Sequence, residues 1–162
     1  MGIIGGADGP TSIFVAGSLG AYWINLFGLV IVMIMLVPNT IYTLKFRNQK
    51  NKCENKIMNI LEQIGRYSSM IFMVFTFGQA EFAFTSLGRF MVYFIGNFTL
   101  LAIYLIVWIL YFIKQKSWKR MTLAIVPSLI FLVSGITLGN IMLVISGGIF
   151  AVSHSYVTYK NC

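Results

Sequence analysis

The sequence predicts an all-α integral membrane protein with about five transmembrane helices, and three observations predict it. Hydrophobic residues make up 58% of the 162 and charged residues only 10%, whereas soluble domains carry about 25% charged residues. Apolar runs recur at roughly 20 residues, the length needed to cross the hydrocarbon core. These runs lack the alternation of barrel strands, and a lone run in lipid can satisfy its own backbone only as a helix. The chain divides into a Gly-rich N-terminal segment over 1–21 and a single five-helix membrane domain over 22–162.

The N-terminal segment contains Gly-Gly-Ala-Asp8-Gly-Pro10-Thr11 and holds one of only four acidic residues in the chain. Its glycines let the backbone turn and expose carbonyls. Pro10 suits a helix start, with Asp8 or Thr11 as the cap. A carboxylate, a hydroxyl and free carbonyls are equally the ligands a hard cation prefers. On that reading Asp8, Thr11, Gly6 and Gly9 are the candidate cation-binding residues, and the segment is either re-entrant or exposed to solvent. Composition allows both.

The first span is expected over 22–44, with Asn25 near its outer end and Pro38-Asn39 near its inner end. Proline removes a backbone hydrogen bond, which Asn39 would repair or replace by bonding across helices. The second span is drawn over 60–79, closed by Gln79 with Glu81 just beyond. The third, over 90–113, opens at Arg89 and carries Asn97. Spans over 121–138 and 141–159 are joined by Gly139-Asn140, a turn so short that they must form a tight hairpin. Asn25, Asn39, Gln79, Arg89, Asn97 and His154 are the supporting polar candidates, because polar groups inside a membrane usually face protein or water.

Orientation follows from the cations. Lys45, Arg47, Lys50, Lys52, Lys56, Arg66, Lys114, Lys116, Lys119, Arg120 and Lys160 fall on one side of these spans, and Arg89 alone on the other. The positive-inside rule then puts the N-terminus outside and the C-terminus in the cytoplasm. The N-terminal residues lack the charged region of a cleavable signal, so the first span is expected to act as its own anchor. A multi-pass protein of the inner, cytoplasmic membrane results. The net charge of +8 reflects that topology and attraction to anionic lipid, and nucleic acid is not an expected partner.

No catalytic constellation is visible, so an enzyme is not expected, and the glycines form neither a phosphate loop nor a dinucleotide fingerprint. Cys53 and Cys162 both fall on the cytoplasmic side, where thiols stay reduced, and no metal-ligand spacing occurs. Glu62 and Arg66, at i,i+4, read as a modest ion pair at a helix mouth near the headgroups. Arg89 is the available outer cation for Glu81 or Asp8. His154 reads either as a satisfied interfacial residue or as a proton relay, with no acid near it in sequence. Ser134-Gly135-x-x-x-Gly139 and Ser146-Gly147-Gly148 permit close helix approach. The Gly135/Gly139 and Gly147/Gly148 faces suit internal packing or contact between copies in a homo-oligomer.

Gly2-Ile-Ile-Gly-Gly-Ala-Asp8-Gly-Pro10-Thr11-Ser-Ile-Phe14 resembles a signature of the membrane-embedded beta subunits of sodium-pumping decarboxylases. In that family the segment is part of a re-entrant region, and its aspartate is implicated in sodium and proton passage. The resemblance covers residues 2–14 and implies a role in cation passage for Asp8, with Na+ as the one ligand expected and no other cofactor. Glu62-Gln-Ile-Gly-Arg66, Pro127-Ser128 and Tyr156-Val-Thr-Tyr159 resemble uncharacterised bacterial polytopic membrane proteins. Two functions are therefore expected. One is a transport-related protein with a sodium or proton site at Asp8. The other is a non-catalytic membrane subunit or scaffold that stabilises or regulates a partner complex, such as an accessory of a decarboxylase-type pump.

Overall fold

The computed structural model describes residues 24–46, 54–75 and 87–161. Five helices fill these stretches: α1 (Leu26–Lys45), α2 (Lys56–Val74), α3 (Leu87–Ile113), α4 (Ser117–Leu138) and α5 (Ile141–Asn161). Four of them, α1, α3, α4 and α5, are long and apolar enough to cross a membrane. A multi-pass membrane protein follows from those four.

Capping sets the helix boundaries. Asn25 sits in extended backbone and its side chain accepts from Gly28 N, so the first helix begins at Leu26 rather than at residue 22. Asn55 accepts from Ile57 N and Met58 N, which starts α2 at Lys56. Such caps satisfy donors that a helix start leaves bare. The α4–α5 hairpin closes as expected. Gly139 adopts a left-handed conformation at φ 67°, Asn140 N donates to Gly135 O and Gly139 N to Ile136 O. Paired bonds of this kind end a helix at glycine. Asn140 then accepts from Leu143 N and opens α5.

The second expected span requires correction. Its helix ends at Val74, well short of residue 79, and it is not among the helices apolar enough to span. Asn59, Glu62, Gln63 and Arg66 within it explain why. Yet α2 packs chiefly against α5, antiparallel and along nearly its whole length. Glu62 meets His154 at one end, Ser69 meets Ser146, and the Phe72 carbonyl meets Asn140 at the other. The polar helix therefore lies in the same layer as an apolar one.

Other contacts fix the remaining directions. Ile24 pairs antiparallel with Phe75, so α1 opposes α2. Asn25 with Tyr93, Met35 with Tyr104 and Tyr42 with Tyr111 make α1 and α3 parallel. Asn97 with Ser134 and Tyr111 with Arg120 make α3 and α4 antiparallel. The helices alternate in direction, and Lys45, Lys56, Lys114, Lys116, Lys119, Arg120 and Lys160 collect at one end of the bundle. Arg66 is the exception to the sequence-based grouping, because it lies well inside α2 and bonds Glu62.

Burial is greatest on α4, which packs against α3 on one side and α5 on the other, and Tyr93, Tyr104, Ile130, Phe131 and Leu143 are almost wholly enclosed. Outward faces carry large apolar groups such as Met33, Phe98, Ile109, Ile136 and Val152. Apolar surface on that scale needs a covering phase, and lipid supplies it for helices of this length.

Candidate functional site: a polar seam between two helices

The face of α2 that meets α5 carries Glu62, Gly65, Ser69 and Met73, all buried. Their spacing of three and four residues places them on one stripe. The facing stripe of α5 carries Ser146 and Phe150, both buried, and His154. Gly65 makes the closest approach. A Cβ there would lie 2.8 Å from Phe150 N and 2.9 Å from Phe150 Cα, so only glycine lets the backbones meet.

Beside that crossing sits the charged group of the seam. Glu62 is 6% exposed, and its Oε1 accepts from Arg66 Nη2 one turn along α2. The same oxygen lies 3.0 Å from Nδ1 of His154 on α5. The His154 ring stacks on Phe150 at 4.7 Å and 12°, and the Arg66 guanidinium lies over the same Phe150 ring. Glu62 and His154 each stand six residues inside Lys56 and Lys160, about 9 Å along the helix axis at 1.5 Å per residue. A buried carboxylate demands such partners, because an unpaired charge is costly out of water.

The seam continues through hydroxyls and an amide. Ser69 Oγ donates to Ser146 Oγ at 3.2 Å, and Asn140 Nδ2 donates to Phe72 O at 3.1 Å. A carboxylate, an imidazole, a guanidinium, two hydroxyls and an amide thus follow one another from the cationic end to the opposite end. The arrangement can hold a proton or exchange hydrogen-bond partners while the carboxylate stays buried. Among the described residues, no three His, Cys, Asp or Glu side chains converge as a metal site would require.

This placement corrects two expectations. Glu62 and Arg66 do pair, but Glu62 is buried between α2 and α5 rather than exposed at the surface. His154 does have an acid beside it, supplied by a residue 92 positions away. The candidates Gly6, Asp8, Gly9, Thr11 and Gln79, with Glu81, lie outside the described residues. Arg89 is exposed on the first turn of α3.

The remaining polar candidates tie the bundle together instead of joining the seam. Asn25 donates to the Tyr93 hydroxyl while capping α1. Asn97 donates to Tyr93 O and accepts from Ser134 on α4. Asn39 donates to Met35 O in its own helix and its side chain also bonds Tyr104 across on α3, as expected, while the Ile34 carbonyl is the one that Pro38 leaves without its usual donor. Gly135 packs against Val144 and Gly147 against Phe131, so both serve internal packing. Gly139 forms the turn, and a Cβ at Gly148 would meet open space.

Sequence reasoning singled out His154 and the Glu62–Arg66 pair separately and missed that they form one group. The available signal was the pair of small-residue and polar stripes, Glu62-Gly65-Ser69 and Ser146-Phe150-His154, each at helical spacing. Comparison with protein-family models, with curated proteins and with solved structures finds no match to this chain.

Proposed function

We propose that this is a transport-related protein of a bacterial inner membrane that handles a small cation, sodium or a proton, through Asp8 and Glu62. One observation carries the reading: Glu62 is buried within the helix layer, held between the nitrogens of Arg66 and His154 on two helices. Ionisable groups at membrane depth are costly and usually mark ion pathways. The resemblance of residues 2–14 to the sodium-pump segment supports a second carboxylate, Asp8, in the same role. The cations gathered at one end support a cytoplasmic placement for that end, with the N-terminus outside.

Cation flux into vesicles containing the purified full chain tests the reading. Sodium or proton uptake is expected in wild type and is expected to fall at least tenfold in Asp8→Asn and in Glu62→Gln. Flux equal to that of empty vesicles in wild type would overturn it.

The scaffold reading is favoured by a different observation. Helix α1 buries only Gly28, Val32, Met35 and Pro38 and turns Met33, Val37, Ile41 and Leu44 outward, a surface a membrane partner subunit would cover as readily as lipid. Retention of a defined subunit through detergent extraction, lost when Met33 and Val37 become Trp, would support that reading.

A further inference from the structure

Glu62 is bonded by Arg66 and His154, and among the described residues no second carboxylate joins them. A sodium ion needs a shell of oxygens, and a guanidinium already on the carboxylate repels a metal cation. A proton needs only one basic lone pair. His154 supplies it, on the nitrogen that does not face Glu62.

We propose that the α2–α5 contact is a proton site, loaded at His154 Nε2, and that loading displaces Arg66 from Glu62. This names the ion of the transport reading above and rests on that reading for the ion's passage. An ionised carboxylate accepts but cannot donate, so Glu62 selects the imidazole tautomer with hydrogen on Nδ1 and leaves the lone pair on Nε2. A hydronium ion delivers the proton. A new N–H bond forms at Nε2, the old O–H bond breaks, and its electron pair stays with the departing water.

The charge balance drives the second half. Before loading, the Glu62 carboxylate and the Arg66 guanidinium sum to zero. After loading, two cations share one buried carboxylate, which a low-dielectric contact tolerates poorly. His154 is held by its stack on Phe150. The Arg66 side chain is 33% exposed and on a long stem that can carry its charge toward water, so Arg66 is the one that leaves.

The other cations near this contact lie toward the cationic end or hold partners of their own. Lys56 on α2 and Lys160 on α5 lie toward the cationic end. On α4, Lys119 is bound to carbonyls of α3 and its C-terminal turn, and Arg120 to Tyr111 and the Asn161 carbonyl. On α1, Lys45 lies against Phe46 and Phe112. From α3, the Tyr104 hydroxyl is within electrostatic reach of Arg66 and donates to Met35 O.

His154 is the only histidine in the chain, so its nitrogens can be observed without assignment. The test is nuclear magnetic resonance on the full chain, carrying heavy nitrogen in histidine and arginine, purified through a histidine-free tag and placed in lipid vesicles. Arg66 is assigned by the signal missing in Arg66→Lys. At alkaline pH the Nδ1–H tautomer is expected to exceed the Nε2–H form by about tenfold, the factor one charge-assisted hydrogen bond confers. On acidification the imidazolium is expected to appear as the Arg66 signal moves, over the same pH range. Replacing potassium by sodium at constant pH is expected to move neither. In Glu62→Gln the tautomer preference is expected to disappear, and should that variant not fold, the wild-type titration decides alone.

A dominant Nε2–H tautomer, an Arg66 signal that ignores the titration, or a sodium-dependent shift would overturn the proposal. The expected titration in vesicles that carry no cation flux would remove the transport reading and keep the proton site. Sodium-dependent shifts together with flux would do the reverse.

Discussion

Gly65 of α2 lies directly against the backbone of Phe150 on α5, where a side chain would fall 2.8 Å from the Phe150 nitrogen. Because the obstacle is backbone, no rotamer change relieves it. Gly65→Ala is expected to force the helices apart and to destabilise the protein by about 1–3 kcal/mol, the usual cost of overpacking. Gly148→Ala is the matched control. It adds the same methyl to α5 where a Cβ meets open space, and it is expected to be neutral or slightly stabilising, since alanine is the better helix former. Thermal unfolding of both variants in the same detergent, followed by circular dichroism, separates them. Equal midpoints would mean that α2 and α5 do not approach this closely.

The antiparallel register of α2 on α5 gives a second expectation. Ser69 and Ser146 hydroxyls lie 3.2 Å apart in the middle of the seam. With Cys53 and Cys162 replaced by serine, the pair Ser69→Cys and Ser146→Cys is expected to form a disulfide under mild oxidation, because short separations between Cβ atoms suit that bond. Ser69→Cys with Ser153→Cys is expected to stay reduced, since Ser153 lies two turns further along α5. Gel mobility after oxidation, with and without reductant, reads the result. Cross-linking of the mismatched pair alone would shift the register of the whole seam and separate Glu62 from His154.

Much of the fold was legible because its signals are local. Run length marked α1, α3, α4 and α5, and Gly139-Asn140 marked the hairpin, since a left-handed turn followed by a capping Asn needs only adjacent residues. Helix α2 was harder to read because its polar face is compensated at a distance. Glu62 and Arg66 look like a surface pair until α5 is laid over them, and nothing near His154 in sequence announces its carboxylate. The glycines show the same limit. Periodicity marked Gly135 and Gly147 as packing residues, but only the neighbours Val144 and Phe131 show that the packing lies within one copy of the chain. Asp8, on which the resemblance rests, lies outside the described residues.

Lys119 illustrates a cation whose role topology alone would misstate. Counted in sequence as one of the loop charges, it is buried and its Nζ donates to Leu110 O at 2.6 Å and Lys114 O at 3.1 Å. These carbonyls close the C-terminal end of α3, where the helix dipole favours a positive charge and the last carbonyls lack helical partners. Lys119→Met keeps the stem and removes the charge, and it is expected to lower stability by about 1–2 kcal/mol. Lys116→Met, at an exposed position nearby, is expected to stay within about 0.5 kcal/mol of wild type. Unfolding in a series of denaturing detergent mixtures would rank the two, and equal losses would deny Lys119 its capping role.

The bond between Ser134 Oγ and Asn97 Oδ1, 3.1 Å long and fully buried, joins α3 to α4 on the far side of α5 from the charged group. Asn97 also donates to Tyr93 O within its own helix, so its amide is oriented before the serine arrives. That orientation determines which atom faces α4, because an amide turned the other way would present donors, which serine would have to accept. Each group would still find some partner in an unfolded helix within the membrane, which limits the net worth of the contact. A double-mutant cycle of Asn97→Ala and Ser134→Ala is therefore expected to give a coupling of about 0.6 kcal/mol, as interhelical hydrogen bonds in membranes do on average. Each single variant is expected to cost more than the coupling, since truncation also leaves a void in a packed core. A coupling indistinguishable from zero would mean that α3 and α4 are held here by shape alone.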